Sequence, residues 1–162
     1  MSPNPDFTIW IGEEDFDVGA EYQSLCESAP KSGAIVFFVG LVRDLYADQL
    51  LSEKVDHIYL EHYPKMTEAL CQDILEQAHE RFSYDYAKVL HRVGKLSAGE
   101  QIVMVGVASR NRENAFDAAQ FIMDYLKTKA TFWKKEVGSR GEQWLGVKQK
   151  DRDAELRWSK ES

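Results

Sequence analysis

Between Gly33 and Gly40 runs an unbroken apolar stretch, Ala34 to Val39, made almost wholly of β-branched and aromatic residues. Such a run predicts a buried strand, and a strand of that kind needs neighbours on both sides and cover on its faces. Even with Leu41 and Val42 beyond Gly40, the run is far short of the roughly 20 apolar residues that a membrane helix requires. The rest of the chain therefore has to supply the packing partners.

It does so irregularly. Phe7, Ile9 and Ile11 alternate with Thr8 and Trp10, which predicts a first strand. His57 to Tyr63 alternates in the same way and is stopped by Pro64. Met66, Ala69, Leu70, Ile74, Ala78 and Phe82 form one helical stripe over 66–82. Tyr86–Val93 and Gln101–Ala108 read as strands joined by a polar connection that holds Gly94, Ser97 and Gly99. A second helix over Glu113–Lys129 is expected to bury Phe116, Ala119, Ile122, Met123 and Leu126. Thr131–Val137 and Gln143–Val147 flank Gly138-Ser139-Arg140-Gly141, a hairpin signal. The polar segment Arg43–Asp56 reads as a mobile loop. After Lys148 only Leu156 and Trp158 interrupt a polar tail, expected to fray or to dock on a partner. The pattern is α+β, with a single domain over 1–148 and a tail over 149–162.

A chain of 162 residues suits one domain with a real core. Its formal net charge of -7 argues against non-specific nucleic-acid binding, which needs a cationic surface to displace counterions. Met1 to Asp6 shows no secretory signal pattern, and the expected compartment is the cytoplasm. Cys26 and Cys71 are too few for a disulfide framework and have no basic neighbour that would make a thiolate. His57, His62, His79 and His91 lack a paired ligand spacing, and His62 and His91 read as structural. No metal and no cofactor is expected.

Three groups of residues could carry chemistry. Gly40-Leu41-Val42-Arg43-Asp44 leaves the end of the apolar strand, where a glycine allows close backbone approach and Arg43 can fork onto a phosphate or carboxylate. Ser109-Arg110-Asn111-Arg112 precedes the second helix, whose free N–H groups favour an anion, although Asn111 could equally be a plain N-cap. Lys127, Lys129, Lys134, Lys135 and Arg140 gather around Glu136 in an otherwise acidic chain. A lysine crowded by cations in a partly dry pocket becomes a usable nucleophile or proton-transfer group, whereas a solvated charge run is the plainer alternative.

Five stretches then fall into register: GAIVFFVGLVR (33–43), LEHYPKMT (60–67), HRVG (91–94), FIMDYLKT (121–128) and FWKKE (132–136). From about Gly33 to Val147 the chain resembles the large, catalytic subunit of molybdopterin synthase. That resemblance implies an α/β-hammerhead fold with antiparallel sheets and two main helices. It implies a homodimer with a small ubiquitin-like subunit at each end, whose C-terminal glycine thiocarboxylate supplies sulfur. The implied substrate is cyclic pyranopterin monophosphate, converted to the molybdopterin dithiolene by a sulfurtransferase reaction. Carried over by position, the substrate pocket comprises Leu41, Val42, Arg43, Asn111, Arg112, Lys127, Lys134, Lys135 and Glu136. Arg43 and Arg112 would hold phosphate, Lys127 would be the main catalytic group, and Lys134 would stabilise charge or move protons. Asn111 stands where the family usually has histidine, and Leu41 where a polar residue is often found. Two other readings use the same residues: a non-enzymatic anion- or nucleotide-binding module, and a family member impaired at position 111.

Overall fold

Among the described residues, two four-stranded sheets and four helices build the fold. The computed structural model describes residues 6–43, 55–129, 132–138, 141–145 and 149–159. In chain order the elements are β1 (Asp6–Gly12), α1 (Val18–Ser28), β2 (Ala34–Leu41), β3 (Val55–His62), α2 (Pro64–Phe82) and β4 (Tyr86–Arg92). β5 (Gly94–Ser97), β6 (Gln101–Ser109), α3 (Arg112–Thr128), β7 (Phe132–Gly138), β8 (Gly141–Leu145) and α4 (Gln149–Ser159) follow. The first sheet is ordered β1-β4-β6-β2 and the second β5-β3-β7-β8. All pairings are antiparallel except β1 with β4, so the first sheet is mixed and not purely antiparallel.

Strand alternation divides the first sheet between two covers. Val89, Val103, Val105 and Val107 face a layer made by Ile74, Leu75 and Ala78 of α2, Phe121 and Ile122 of α3, and Trp158 of α4. On the opposite face Leu25 of α1 packs with Ala108, Ile35 and Phe37. The helix α1 has no counterpart in the sequence reading. It is capped by Asp17, whose carboxylate accepts from the Ala20 amide at 3.1 Å.

Several expectations are corrected. The apolar run does form a strand, but β2 lies at the edge of its sheet and is only half-buried, with Phe38 exposed. Gly40 marks a register irregularity there, and a Cβ on it would lie 2.8 Å from Val103 Cγ1, so its close approach is to β6. Met66 and Phe116 are exposed, because the buried stripes of α2 and α3 run through Cys71, Ile74 and Leu75, and through Ala118, Phe121 and Ile122. The polar connection after β4 holds a strand of its own. Gly94 at φ +84°, a conformation that only glycine takes at no steric cost, turns the chain out of the first sheet into β5 of the second. The end of the chain forms α4 and docks on its own α3, with Trp158 in the core. Most of the expected Arg43–Asp56 loop lies outside the described residues.

Other readings hold. Pro64 ends β3 and opens α2 as its first residue, a position where the missing N–H costs nothing. Gly138 pairs with Gly141 to set the β7–β8 hairpin. Both cysteines are free thiols, and burial pushes the Cys71 thiol up to about 12. No helix among the described residues is long and apolar enough to cross a membrane.

Candidate active site

The two sheets meet in a small apolar cluster of Val42, Ile58, Leu60, Val93 and Leu96, against which Ile11, Ile102 and Phe132 pack. This cluster places the first and third groups of candidates together. Val42 is buried, and its amide and carbonyl bond Glu100 O and Gly99 N, both at 2.8 Å. That fixes the turn from which Leu41 and Arg43 project, both exposed. Phe132, the first residue of β7, enters the same cluster, so by alternation Lys134 shares its face.

Lys127 stands exposed in the last turn of α3, where a cation complements the helix dipole. Beside it is His91 of β4, whose ring stacks on Phe132 with centroids 3.8 Å apart and planes 12° from parallel. The His91 residue keeps part of its surface, but its ring is enclosed. Burial pushes its pKa down to about 4, and the charges of Lys127 and His62 act in the same direction against a raising bond to Arg92 O. At neutral pH His91 is therefore uncharged. His62 also meets Phe132, with ring centroids 6.0 Å apart, and its buried Nδ1 has no hydrogen-bond partner among the described residues. It helps line a cavity of about 230 Å³ with Glu61, Tyr63 and Trp133.

The remaining candidates are placed elsewhere. Lys135 lies on the opposite face of β7 from Lys134, with its Nζ 5.3 Å from the Tyr59 ring centroid. Glu136 pairs with Ile58 in the sheet register. Lys129 pairs with Glu155 at 3.0 Å. Arg140 lies outside the described residues. Asn111 is the N-cap of α3, its Oδ1 accepting from the Asn114 amide at 2.8 Å, so the plain capping role is present. Arg112 is the first residue of the same helix, and Lys127 is fifteen residues further along it. At 1.5 Å per residue they stand about 22 Å apart, too far to touch one small substrate. One chain thus sets the turn before Arg43 and the strand that carries Lys134 on one apolar cluster, with Lys127 beside His91, and leaves Asn111 and Arg112 at the far end of α3. Among the described residues, the partly dry pocket expected for the lysines is not seen around Lys127 or Arg43, both of which are exposed.

Residues 11–129 match the family model described as MoaE protein. The chain belongs to the MoaE family. A molybdopterin synthase catalytic subunit of Haemophilus influenzae is 46% identical over 153 residues, spanning 94% of this chain and 99% of that protein. A protein of the same name from Vibrio cholerae is 43% identical over the same shares. The solved structure of a molybdopterin biosynthesis MoaE protein from Burkholderia ambifaria superposes with a TM-score of 0.80 at 43% identity, covering 94% of this chain and 97% of that one. The α+β architecture expected of the MoaE family is the one observed. His91 and Phe132 were absent from the residues singled out as candidates. Both lie inside the quoted motifs HRVG and FWKKE, and only the fold shows that the two motifs touch.

Proposed function

We propose that the chain is the catalytic subunit of a molybdopterin synthase, and that it moves sulfur from a partner's C-terminal thiocarboxylate onto cyclic pyranopterin monophosphate. The observation that carries this reading is near full-length identity to relatives of that name. Its chemistry is supported by Arg43 next to Val42 and Lys134 two residues after Phe132 in one apolar cluster, and by Lys127 beside the His91 ring that stacks on Phe132. Cys71 is buried and its thiol is held protonated, which fits a sulfur that arrives from outside.

A catalytic subunit implies at least one other subunit. The one proposed here is a small ubiquitin-like protein whose extended tail is gripped through its backbone and its terminal anion by cationic groups. Lys127 serves as the chemical group, and Lys134 stabilises negative charge as it develops. Arg43 holds the substrate phosphate as a bidentate fork.

The 22 Å between Arg112 and Lys127 bears on the expected homodimer. A second copy could lend the N-terminus of its α3, with Asn111 and Arg112, to the lysines of the first, which would complete the phosphate site and cover the exposed cations. The proposed setting is the cytoplasm.

The test mixes the purified chain with a thiocarboxylated small subunit and the cyclic pterin, and assays dithiolene product. Turnover that disappears when the partner's last two residues are deleted supports the reading. Product formed equally well with the truncated partner, or none with the intact one, overturns it.

A further inference from the structure

We propose that His91 is a positioning residue for this reaction, its flat ring setting the spacing between Lys127 and Lys134 through Phe132. The inference rests on the function proposed above and names a residue outside the set that function assigns.

The buried guanidinium of Arg92 is anchored on Glu13 O at 3.2 and 3.1 Å and on Gln101 O at 3.0 Å. Those bonds hold the end of β4 still. The ring of His91 is then fixed by its own backbone neighbour, for Nδ1 lies 2.7 Å from Arg92 O. A carbonyl oxygen can only accept, so Nδ1 carries the hydrogen. The ring therefore has one bond in its plane and one face laid against Phe132.

Phe132 is the pivot. It is the first residue of β7, the strand that follows α3 in the chain, so the ring contact stands at the start of that strand. Lys127 lies in the last turn of α3, and Lys134 follows Phe132 by two residues on the same face. A ring displaced here changes the phase of β7 against α3 and moves one lysine relative to the other. A displacement of about 1 Å in a catalytic group is enough to cost on the order of a hundredfold in rate.

The experiment compares His91→Ala, His91→Phe, Phe132→Ala and the double alanine variant with the native complex. His91→Ala should lower kcat about tenfold to a hundredfold, with KM for the pterin and Kd for the small subunit within about twofold of native. His91→Phe keeps a flat ring and should restore most of the rate, and the double variant should be no slower than the worse single one. Equal losses in the phenylalanine and alanine variants, or losses that add in the double variant, overturn the proposal. Should His91→Ala fail to fold, His91→Leu fills the volume without a ring and takes its place. A second arm needs no turnover: crystal structures of the native and ring-less proteins should show Lys134 displaced relative to Lys127, and superimposable lysines overturn the proposal. A native protein that is inert in the assay, while the ring-less variant still shows that displacement against it, separates failure of the proposed function from failure of this inference.

Discussion

Trp158, near the end of the chain, donates its indole N–H to the Asp124 carboxylate over 2.7 Å. The other carboxylate oxygen accepts from the Gln120 amide at 2.8 Å, so a buried acid has a donor on each oxygen. The indole also meets Phe82 and Phe121 edge to face, and Arg81 donates to the Trp158 carbonyl at 3.0 Å. Trp158→Ala should cost about 3–5 kcal/mol, because it empties a large core site. Trp158→Phe keeps most of the packing but strips one donor from Asp124, at about 1–3 kcal/mol. Urea unfolding of the three proteins measures both, and a phenylalanine variant as stable as native would remove the hydrogen bond from the account.

If the pocket is shared between two copies, inactive chains should complement one another. Arg112→Ala and Lys127→Ala homodimers are each expected to be nearly inert. Co-refolded in equal amounts, half of the dimers are mixed, and each mixed dimer holds one intact site, giving about a quarter of native turnover. No recovery in a mixture shown to contain mixed dimers would place each pocket within a single chain.

The depressed pKa of His91 has a sign that can be read in stability. The unfolded imidazole takes up a proton near its ordinary 6.5, while the folded ring refuses it down to about 4. Stability from this group is therefore complete above pH 6.5 and is lost as the pH falls towards 4. At about 1.4 kcal/mol per pH unit, the loss over that window approaches roughly 3 kcal/mol. Urea midpoints at pH 7, 5.5 and 4.5 should fall in step, and His91→Phe should flatten the trend. An unchanged slope in the variant would assign the acid sensitivity to other groups.

Lysine and arginine differ chemically at position 127. A compact amine can attack an acyl carbon or carry a proton, whereas guanidinium stays protonated. Lys127→Arg should lose nearly all turnover with fold and partner affinity intact, and Lys134→Arg should lose less. Single-turnover rates with saturating partner give the comparison. A near-native rate for the arginine variant at 127 would favour a protein that only binds anions.

At position 111 the two roles of asparagine separate. Its Oδ1 caps α3, and its amide remains a donor without acid–base character. Asn111→His should cost about 1 kcal/mol of stability through the cap, change the rate modestly, and add a limb to the pH–rate profile near the imidazole pKa. A native protein that is inert and becomes strongly active with histidine would mark the natural chain as an impaired member of its family.

Much of this fold can be read from spacing alone. The stripes of α2 and α3 repeat at the helical period over four to five turns, and Pro64 at the start of α2 and Gly138 and Gly141 at the β7–β8 hairpin mark boundaries by chemistry that is local. The helix α1 escaped because Leu25 is its one fully buried side chain, so no apolar stripe announces it. The strand β5 escaped because four residues are too few to show a period, and its pairing with β3 is far away in sequence. The edge position of β2 depends on which strands flank it, and the composition of Ala34–Val39 carries no such information. The same limit applies to the site. Residue types foretold an anion-loving, lysine-bearing surface, and a helix over 113–129 already sets Arg112 and Lys127 at opposite ends, but that His91 lies against Phe132 appears only in the fold.

The strand order also has a consequence for synthesis. Among the described strands only β7 and β8 pair with a neighbour in the sequence; β1 waits for β4, β2 for β6, and β3 for β5 and β7. On the ribosome the first three strands therefore emerge with no partner available, and the apolar 34–39 run stays unpaired until β6 has been made. Closure of either sheet depends on contacts distant in sequence, the condition under which chains fold slowly and sticky edges stay open longest. The nascent chain, not the finished one, is where this protein is most exposed to aggregation.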